Sequence, residues 1–191
     1  METKNIMIVG VGGQGSLLAS KLLGKLLTDG GLDVKVSEVH GMSQRGGSVV
    51  TYVRYGEKVY SPIIDKGEAD FIVSFELLEA ARYAHFLKKG GKIIVNTQKI
   101  DPMPVITGKE AYPDAAIENL AALGVSVDCE DALTAALEAG SAKAVNIVLM
   151  GKLSKYLDIP TEKWISAIRE SVKEKFVDLN VRAFLIGRGE A

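Results

Sequence analysis

At 191 residues, 47 % hydrophobic and 25 % charged, the chain has the size and composition of one ordinary globular domain with a sizeable core. A formal net charge of −1 with no acidic or basic tail gives no field that favours nucleic acid or an anionic membrane surface. The sole cysteine, Cys129, excludes an internal disulfide and a Cys-ligated cluster of the chain's own. The expected setting is a reducing cytoplasm. The opening run METKNIMIVG is too short for a signal-peptide core, and no apolar run reaches the length of a membrane span.

Residues 5–10, NIMIVG, form a continuous apolar run ending in glycine, the pattern of a buried strand at the centre of a parallel sheet. Residues 13–28 predict a helix, with Leu17, Leu18, Leu22 and Leu26 near helical spacing and the Asp-Gly-Gly at 29–31 as its stop. DVKVSEV predicts the next strand, completing a βαβ unit. SVVTYVRYGEKVYSP then predicts a β-hairpin turning at Tyr55-Gly56-Glu57-Lys58, where a dinucleotide fold would instead continue with a second crossover helix.

DFIVSF at 70–75 predicts a buried strand, ELLEAARYAHFLKKGG a helix closed by Gly90 and Gly91, and KIIVN at 92–96 a further strand. The segment TQKIDPMPVITGKEAYP carries Pro102, Pro104 and Pro113 and predicts an irregular surface loop. Helices follow over 114–123 and 131–139, with VSVDC as the last strand between them. AKAVNIVLMGKLSKYL predicts a buried helix, and TEKWISAIRESVKEKF places Trp164, Ile165, Ile168, Val172 and Phe176 on one helical face. The expected fold is a single α/β domain spanning 1–191. It is a mostly parallel, Rossmann-like open sheet with a β-hairpin inserted after strand two and helices at the C-terminal end.

Gly10-Val11-Gly12-Gly13-Gln14-Gly15 matches GxGxxG directly after a strand and before a helix, the context a phosphate-binding turn requires. Its glycines allow a tight turn and close approach, and a helix N-terminus offers N–H groups to an anion. The amide of Gln14 adds hydrogen-bonding options. The alternative is a tight strand-to-helix connection without a ligand. Glu38 lies near the position of a ribose-binding acid. The inserted hairpin nevertheless makes a single phosphate, or a phosphate-bearing carrier such as coenzyme A, a better fit than NAD or FAD.

The connector HGMSQRGGSVV, residues 40–50, follows strand two. Ligands of open parallel sheets sit outside the carboxyl ends of the strands. On that ground His40, Ser43, Gln44 and Arg45 line the same crevice as Gly12 and Gly13. Arg45 is a natural phosphate or carboxylate partner; its alternative is a solvated charge. Gly46 and Gly47 permit close approach. His40 is a possible catalytic group, although loop orientation is the simpler role. His85 predicts a half-buried packing residue. Glu76 and Asn96, each at a strand end, serve either the local backbone or a ligand.

Taken together, IVGVGGQG, VSEVHGMSQRGGSVVTYVRYG, GEADFIVSFELLEAARY, GGKIIVNT and LNVRAFLIGRG resemble, in order and over nearly the whole chain, the gamma-type catalytic-domain family of 2-oxoacid:ferredoxin oxidoreductases. The HGMSQRGGSV form is similar to the branch that takes indolepyruvate. The resemblance implies a non-thiamine subunit of a heteromeric enzyme, inactive alone, that oxidatively decarboxylates an aryl 2-oxoacid to an acyl-CoA and reduces ferredoxin. A partner alpha subunit would hold thiamine diphosphate, magnesium and iron–sulfur clusters, since this chain lacks the GDG…NN pattern of thiamine enzymes. The ligand-facing positions carried over are Gly12, Gly13, Gln14 and Gly15 with Ser43, Gln44, Arg45, Gly46 and Gly47, facing coenzyme A or the partner. No metal site is expected in the chain itself, and neither nucleic acid nor a membrane is expected as a partner. A second class remains open on the glycine pattern alone: a free-standing nucleotide-binding module, either a regulatory sensor or an NAD-type oxidoreductase.

Overall fold

The computed structural model describes residues 2–39 and 47–191. A sheet of six strands carries helices on both faces. The strands are β1 (Lys4–Val11), β2 (Asp33–Glu38), β3 (Ser48–Gly56), β4 (Ala69–Ser74), β5 (Leu87–Asn96) and β6 (Ser126–Glu130), in the order β2-β3-β1-β4-β5-β6. β1, β4, β5 and β6 are parallel, and β3 runs antiparallel to both β1 and β2. The carboxyl ends of five strands and the amino end of β3 therefore share one edge.

Side-chain alternation along the central strands divides the core into two layers. Ile6, Ile8, Val53, Val73 and Ile94 point to the face covered by α1 (Ser16–Asp29), α5 (Ala132–Ala139), α6 (Val145–Ser154), α7 (Thr161–Ser171) and α8 (Val177–Arg188). Met7, Val9, Val50, Ile72, Ile93 and Val95 point to the other face. There they meet α2 (Leu77–Tyr83) and α4 (Ala116–Ala122). A one-turn helix, α3 (Met103–Ile106), interrupts the proline-containing loop. Helix α6 is buried from Val145 through Gly151, as its apolar run, broken only by Asn146, predicts. It crosses α8 at backbone contact: a Cβ on Gly187 would lie 2.1 Å from the Val148 carbonyl oxygen, and one on Gly151 2.2 Å from that of Phe184.

Several elements differ from expectation. The hairpin at 48–62 has only its first arm: residues 57–68 carry no strand, and the antiparallel partners of β3 are β1 and β2. Side chains satisfy that segment's backbone in place of a ladder. Arg54 donates to the carbonyls of Ser61 and Ile63 at 3.3 and 2.6 Å, and Asp33 accepts from the Val59 N–H at 2.9 Å. The helix expected to run to Gly91 ends at Tyr83, with a single 3₁₀ turn over Ala84–Phe86. β5 then begins at Leu87 and bulges over 88–91, where Gly90 takes φ +82°. Val172 is extended, so α7 stops at Ser171 and Phe176 lies outside its face, 44 % exposed. His85 is exposed, against the ring of Phe86, rather than half-buried.

Candidate functional site at the carboxyl edge

The glycine loop leaves β1 at the middle of the sheet and enters α1 through Gly15, which takes φ +86° as the N-cap residue. Gly13, at φ +98°, is exposed, and a Cβ there would meet nothing within 4 Å. That open, left-handed position is the place where a ligand can approach the backbone. Packing accounts for Gly10 and Gly15. A Cβ at Gly10 would lie 2.9 Å from the Phe75 Cβ, and one at Gly15 2.8 Å from Asn146 Nδ2. Asn146 donates that amide to the Gly15 carbonyl at 3.1 Å and accepts from the Ile147 N–H with its oxygen. It thereby locks α6 to the start of α1.

Gln14 holds the loop to the sheet. Its Oε1 accepts from the Val11 N–H at 2.7 Å, and its Nε2 donates to the Phe75 carbonyl at 3.0 Å. The amide expected to serve a ligand thus ties β1 to the β4–α2 turn. Gly12 donates its N–H to the Gly47 carbonyl at 2.9 Å. This bond joins the glycine loop to Gly47, the residue just before β3. His40, Ser43, Gln44, Arg45 and Gly46 lie outside the described residues.

The expected βαβ unit forms without bringing its two strands side by side: β3 lies between β1 and β2. Glu38 pairs across from Thr51, which pairs across from Ile8. It is therefore one strand spacing, about 4.8 Å, farther from the glycine loop than a ribose-binding acid on an adjacent strand. The Ser20 hydroxyl donates to Glu38 Oε1. This arrangement counts against the dinucleotide alternative.

Beneath the edge lies a layer of buried polar residues that serve the fold. Glu76, 1 % exposed, caps α2 by accepting from the Glu79 N–H at 2.9 Å; it also accepts from the Ile100 N–H at 3.1 Å and from the Tyr112 hydroxyl. Tyr112 in turn accepts from the Leu78 N–H. Burial, with the Glu76 carboxylate beside it, pushes the Tyr112 hydroxyl well above the usual tyrosine range. Asn96 donates to the Phe75 carbonyl and accepts from the Ala132 N–H, joining the ends of β4, β5 and β6. For Glu76 and Asn96 the backbone role is the one observed.

A second cluster, around Ser48, has no motif or spacing in the sequence to mark it. Its hydroxyl donates to Glu79 Oε2 and lies 3.2 Å from the Tyr83 hydroxyl, while Arg82 Nε approaches Glu79 Oε1 at 3.0 Å. Burial pushes the Glu79 carboxyl up, against the Ser48 hydrogen bond and the Arg82 charge. On the other face an apolar cleft of about 310 Å³ lies beside the first turn of α1, lined by Leu18, Ala144, Val172, Phe176 and Leu179 together with Lys143 and Lys173. Cys129 is exposed, and among the described residues no group of three or more His, Cys, Asp or Glu could hold a metal ion. No helix among the described residues is long and apolar enough to cross a membrane.

Comparison with known proteins agrees with this geometry. A family model described as pyruvate ferredoxin/flavodoxin oxidoreductase matches residues 5–190. The indolepyruvate oxidoreductase subunit IorB of Thermococcus kodakarensis is 44 % identical over 194 residues, covering 98 % of this chain and 95 % of that protein. The keto/oxoacid ferredoxin oxidoreductase gamma subunit from Geobacter sulfurreducens superposes with a TM-score of 0.72 at 22 % identity, covering 98 % of each chain. The 2-oxoglutarate:ferredoxin oxidoreductase from Magnetococcus marinus, solved with 2-oxoglutarate, coenzyme A and succinyl-CoA bound, superposes with a TM-score of 0.76 at 19 % identity. It covers all of this chain with 31 % of its own. The class is therefore that of a subunit of a 2-oxoacid:ferredoxin oxidoreductase. Within that class, the chain belongs to the pyruvate ferredoxin/flavodoxin oxidoreductase family, with IorB subunits among its relatives.

Proposed function

We propose that the chain is the thiamine-free subunit of a cytoplasmic indolepyruvate:ferredoxin oxidoreductase and that its carboxyl edge receives coenzyme A. In the overall reaction the 2-oxoacid loses carbon dioxide and its acyl carbon bonds to the sulfur of coenzyme A. The thiol proton is released, and the two electrons pass to two ferredoxins. Thiamine diphosphate, magnesium and iron–sulfur clusters on a partner alpha subunit supply the decarboxylation and the electron path. A chain with one cysteine has no ligand set for a cluster.

The observation that carries the reading is the Gly12–Gly47 hydrogen bond. It brings Gly47, the final residue of the Gln-Arg-Gly-Gly motif, against the glycine loop at one edge of the sheet. The glycine loop offers an open backbone at Gly13 and the start of a 14-residue helix, both suited to a phosphate. The cleft at Leu18 and Phe176, with its two lysines, suits a carrier that has an apolar arm and anionic groups. Gly12, Gly13, Gln14, Gly15 and Gly47 are assigned to this site as backbone and framing residues. Ser43, Gln44, Arg45 and Gly46 are assigned as the connector's side of it, with Arg45 as the phosphate or partner contact. His40 is held as a possible proton-transfer group.

Arg45→Ala in the assembled complex tests the assignment. Its expected effect is a raised Michaelis constant for coenzyme A or weaker retention of the alpha subunit on purification. Unchanged kinetics with unchanged assembly would return Arg45 to a solvated charge and remove the connector from the site. For the nucleotide-module alternative, tight calorimetric binding of NAD or FAD by the isolated chain would be the supporting result.

A further inference from the structure

Two ties hold the glycine loop from the side of α2. The first is Gln14, bound to the Phe75 carbonyl. The second runs through the backbone: the Gly12 N–H donates to the carbonyl of Gly47, and Gly47 leads directly into Ser48, whose hydroxyl donates to Glu79. Glu79 is 5 % exposed although it sits in the first turn of a surface helix. It is not the cap of α2, because Glu76 fills that role. A carboxylate is buried at a cost and stays only where its oxygens are engaged. Here one oxygen takes the Ser48 hydroxyl and the other faces Arg82.

We infer that Glu79 is a positioning residue: through Ser48 it fixes the Gly47 carbonyl, and with it the backbone of Gly12 and Gly13 that faces the anionic ligand. This rests on the reading above that the glycine loop receives coenzyme A. Ser48 is itself exposed, so in the absence of Glu79 water would satisfy its hydroxyl, and the start of β3 would keep its ladder to β1 but lose its side-chain tie to α2.

Among the described residues, the charged groups that act on Glu79 are Arg82 and Glu76; Tyr83 reaches Ser48 rather than Glu79, Tyr52 on β3 lies beside Tyr83, and Tyr112 bonds Glu76. Arginine and tyrosine keep their charge states in mildly acidic solution. Glu76 is the other carboxyl here and is retained in both Glu79→Gln and Ser48→Ala, so an acid-side inflection in the apparent Michaelis constant for coenzyme A that is lost in Glu79→Gln is assigned to Glu79, whose burial raises its titration above the ordinary glutamate value.

The test uses the assembled enzyme with coenzyme A as the varied substrate. Ser48→Ala and Glu79→Gln are expected to raise its Michaelis constant about tenfold, the scale of one charge-assisted hydrogen bond, with little change in kcat. Ser48→Thr, which keeps the hydroxyl, is expected to restore the wild-type value. Gly13→Ala serves as the control for the underlying reading. If Gly13→Ala raises the constant while Ser48→Ala and Glu79→Gln do not, this inference fails and the coenzyme A reading stands. If Gly13→Ala also leaves it unchanged, the reading itself fails. Loss of thermal stability in Ser48→Ala without a change in the Michaelis constant or the pH profile would reduce the cluster to a fold-stabilising contact and overturn the inference.

Discussion

Replacing Gly15 by alanine tests the structural account of the glycine loop. The added methyl meets two obstacles. The backbone at φ +86° is left-handed, which costs an L-residue about 1–2 kcal/mol. The Cβ would also lie 2.8 Å from Asn146 Nδ2, forcing the amide off the Gly15 carbonyl and losing a hydrogen bond of about 1 kcal/mol. Gly15→Ala should therefore destabilise by roughly 2–3 kcal/mol. Asn146→Ala removes the same hydrogen bond, but the Leu18 and Ala19 N–H groups still donate to the Gly15 carbonyl, so about 1–2 kcal/mol is expected. In the double variant the clash is absent and the shared bond is lost only once. Its cost should fall short of the sum of the single costs by about 1 kcal/mol. Urea unfolding can be followed by the fluorescence of Trp164, the single tryptophan, fully buried and stacked on Phe184. The midpoint should move at constant m-value. Additivity within about 0.5 kcal/mol would refute the contact between α1 and α6.

Two further outcomes follow from contacts elsewhere. Gly187→Ala places a methyl inside the backbone contact between α8 and α6. It should cost about 3 kcal/mol or more and lower the melting temperature by roughly 6–12 °C; a drop under about 4 °C would contradict the crossing. Glu79→Gln alters the pH dependence of stability. Burial raises the folded carboxyl's pKa above its ordinary 4.5, so the folded state holds the proton to higher pH than the unfolded chain. The contribution of Glu79 to stability is then full below the ordinary value and declines as pH rises to the raised one. The wild-type-minus-variant difference in unfolding free energy should fall across that window, and a flat or rising difference would contradict the assignment.

Much of this architecture was legible because it is locally encoded. β1, β4 and β5 announced themselves as short apolar runs, and the glycine loop stood between a strand and a helix, as its motif requires. What local pattern could not carry was pairing. Nothing in SVVTYVRY indicates that β3 inserts between β1 and β2, because that depends on a non-local register, Val11 against Ser48. The missing hairpin arm turns on side chains that the strand pattern does not weigh: Arg54 takes the carbonyls of Ser61 and Ile63, and Asp33 on β2 takes the Val59 N–H. Gln14 read as a ligand group because its type fits one. Only the position of Phe75 shows that its amide faces the chain itself. Asn146 did leave a signal, a lone amide in the apolar run AVNIVLM, and a buried polar side chain in such a run needs a partner. Glu79 left none, since a glutamate in the first turn of a helix is ordinary.

The proposed function has this chain complete an oxidoreductase whose redox groups reside on another subunit. Its most direct test is reduction of ferredoxin by indolepyruvate and coenzyme A, measured for the isolated chain, the isolated thiamine- and cluster-bearing subunit, and the two purified together. Turnover is expected only for the pair, dependent on both indolepyruvate and coenzyme A. Equal turnover by the partner subunit without this chain, or none by the stable pair, would contradict it.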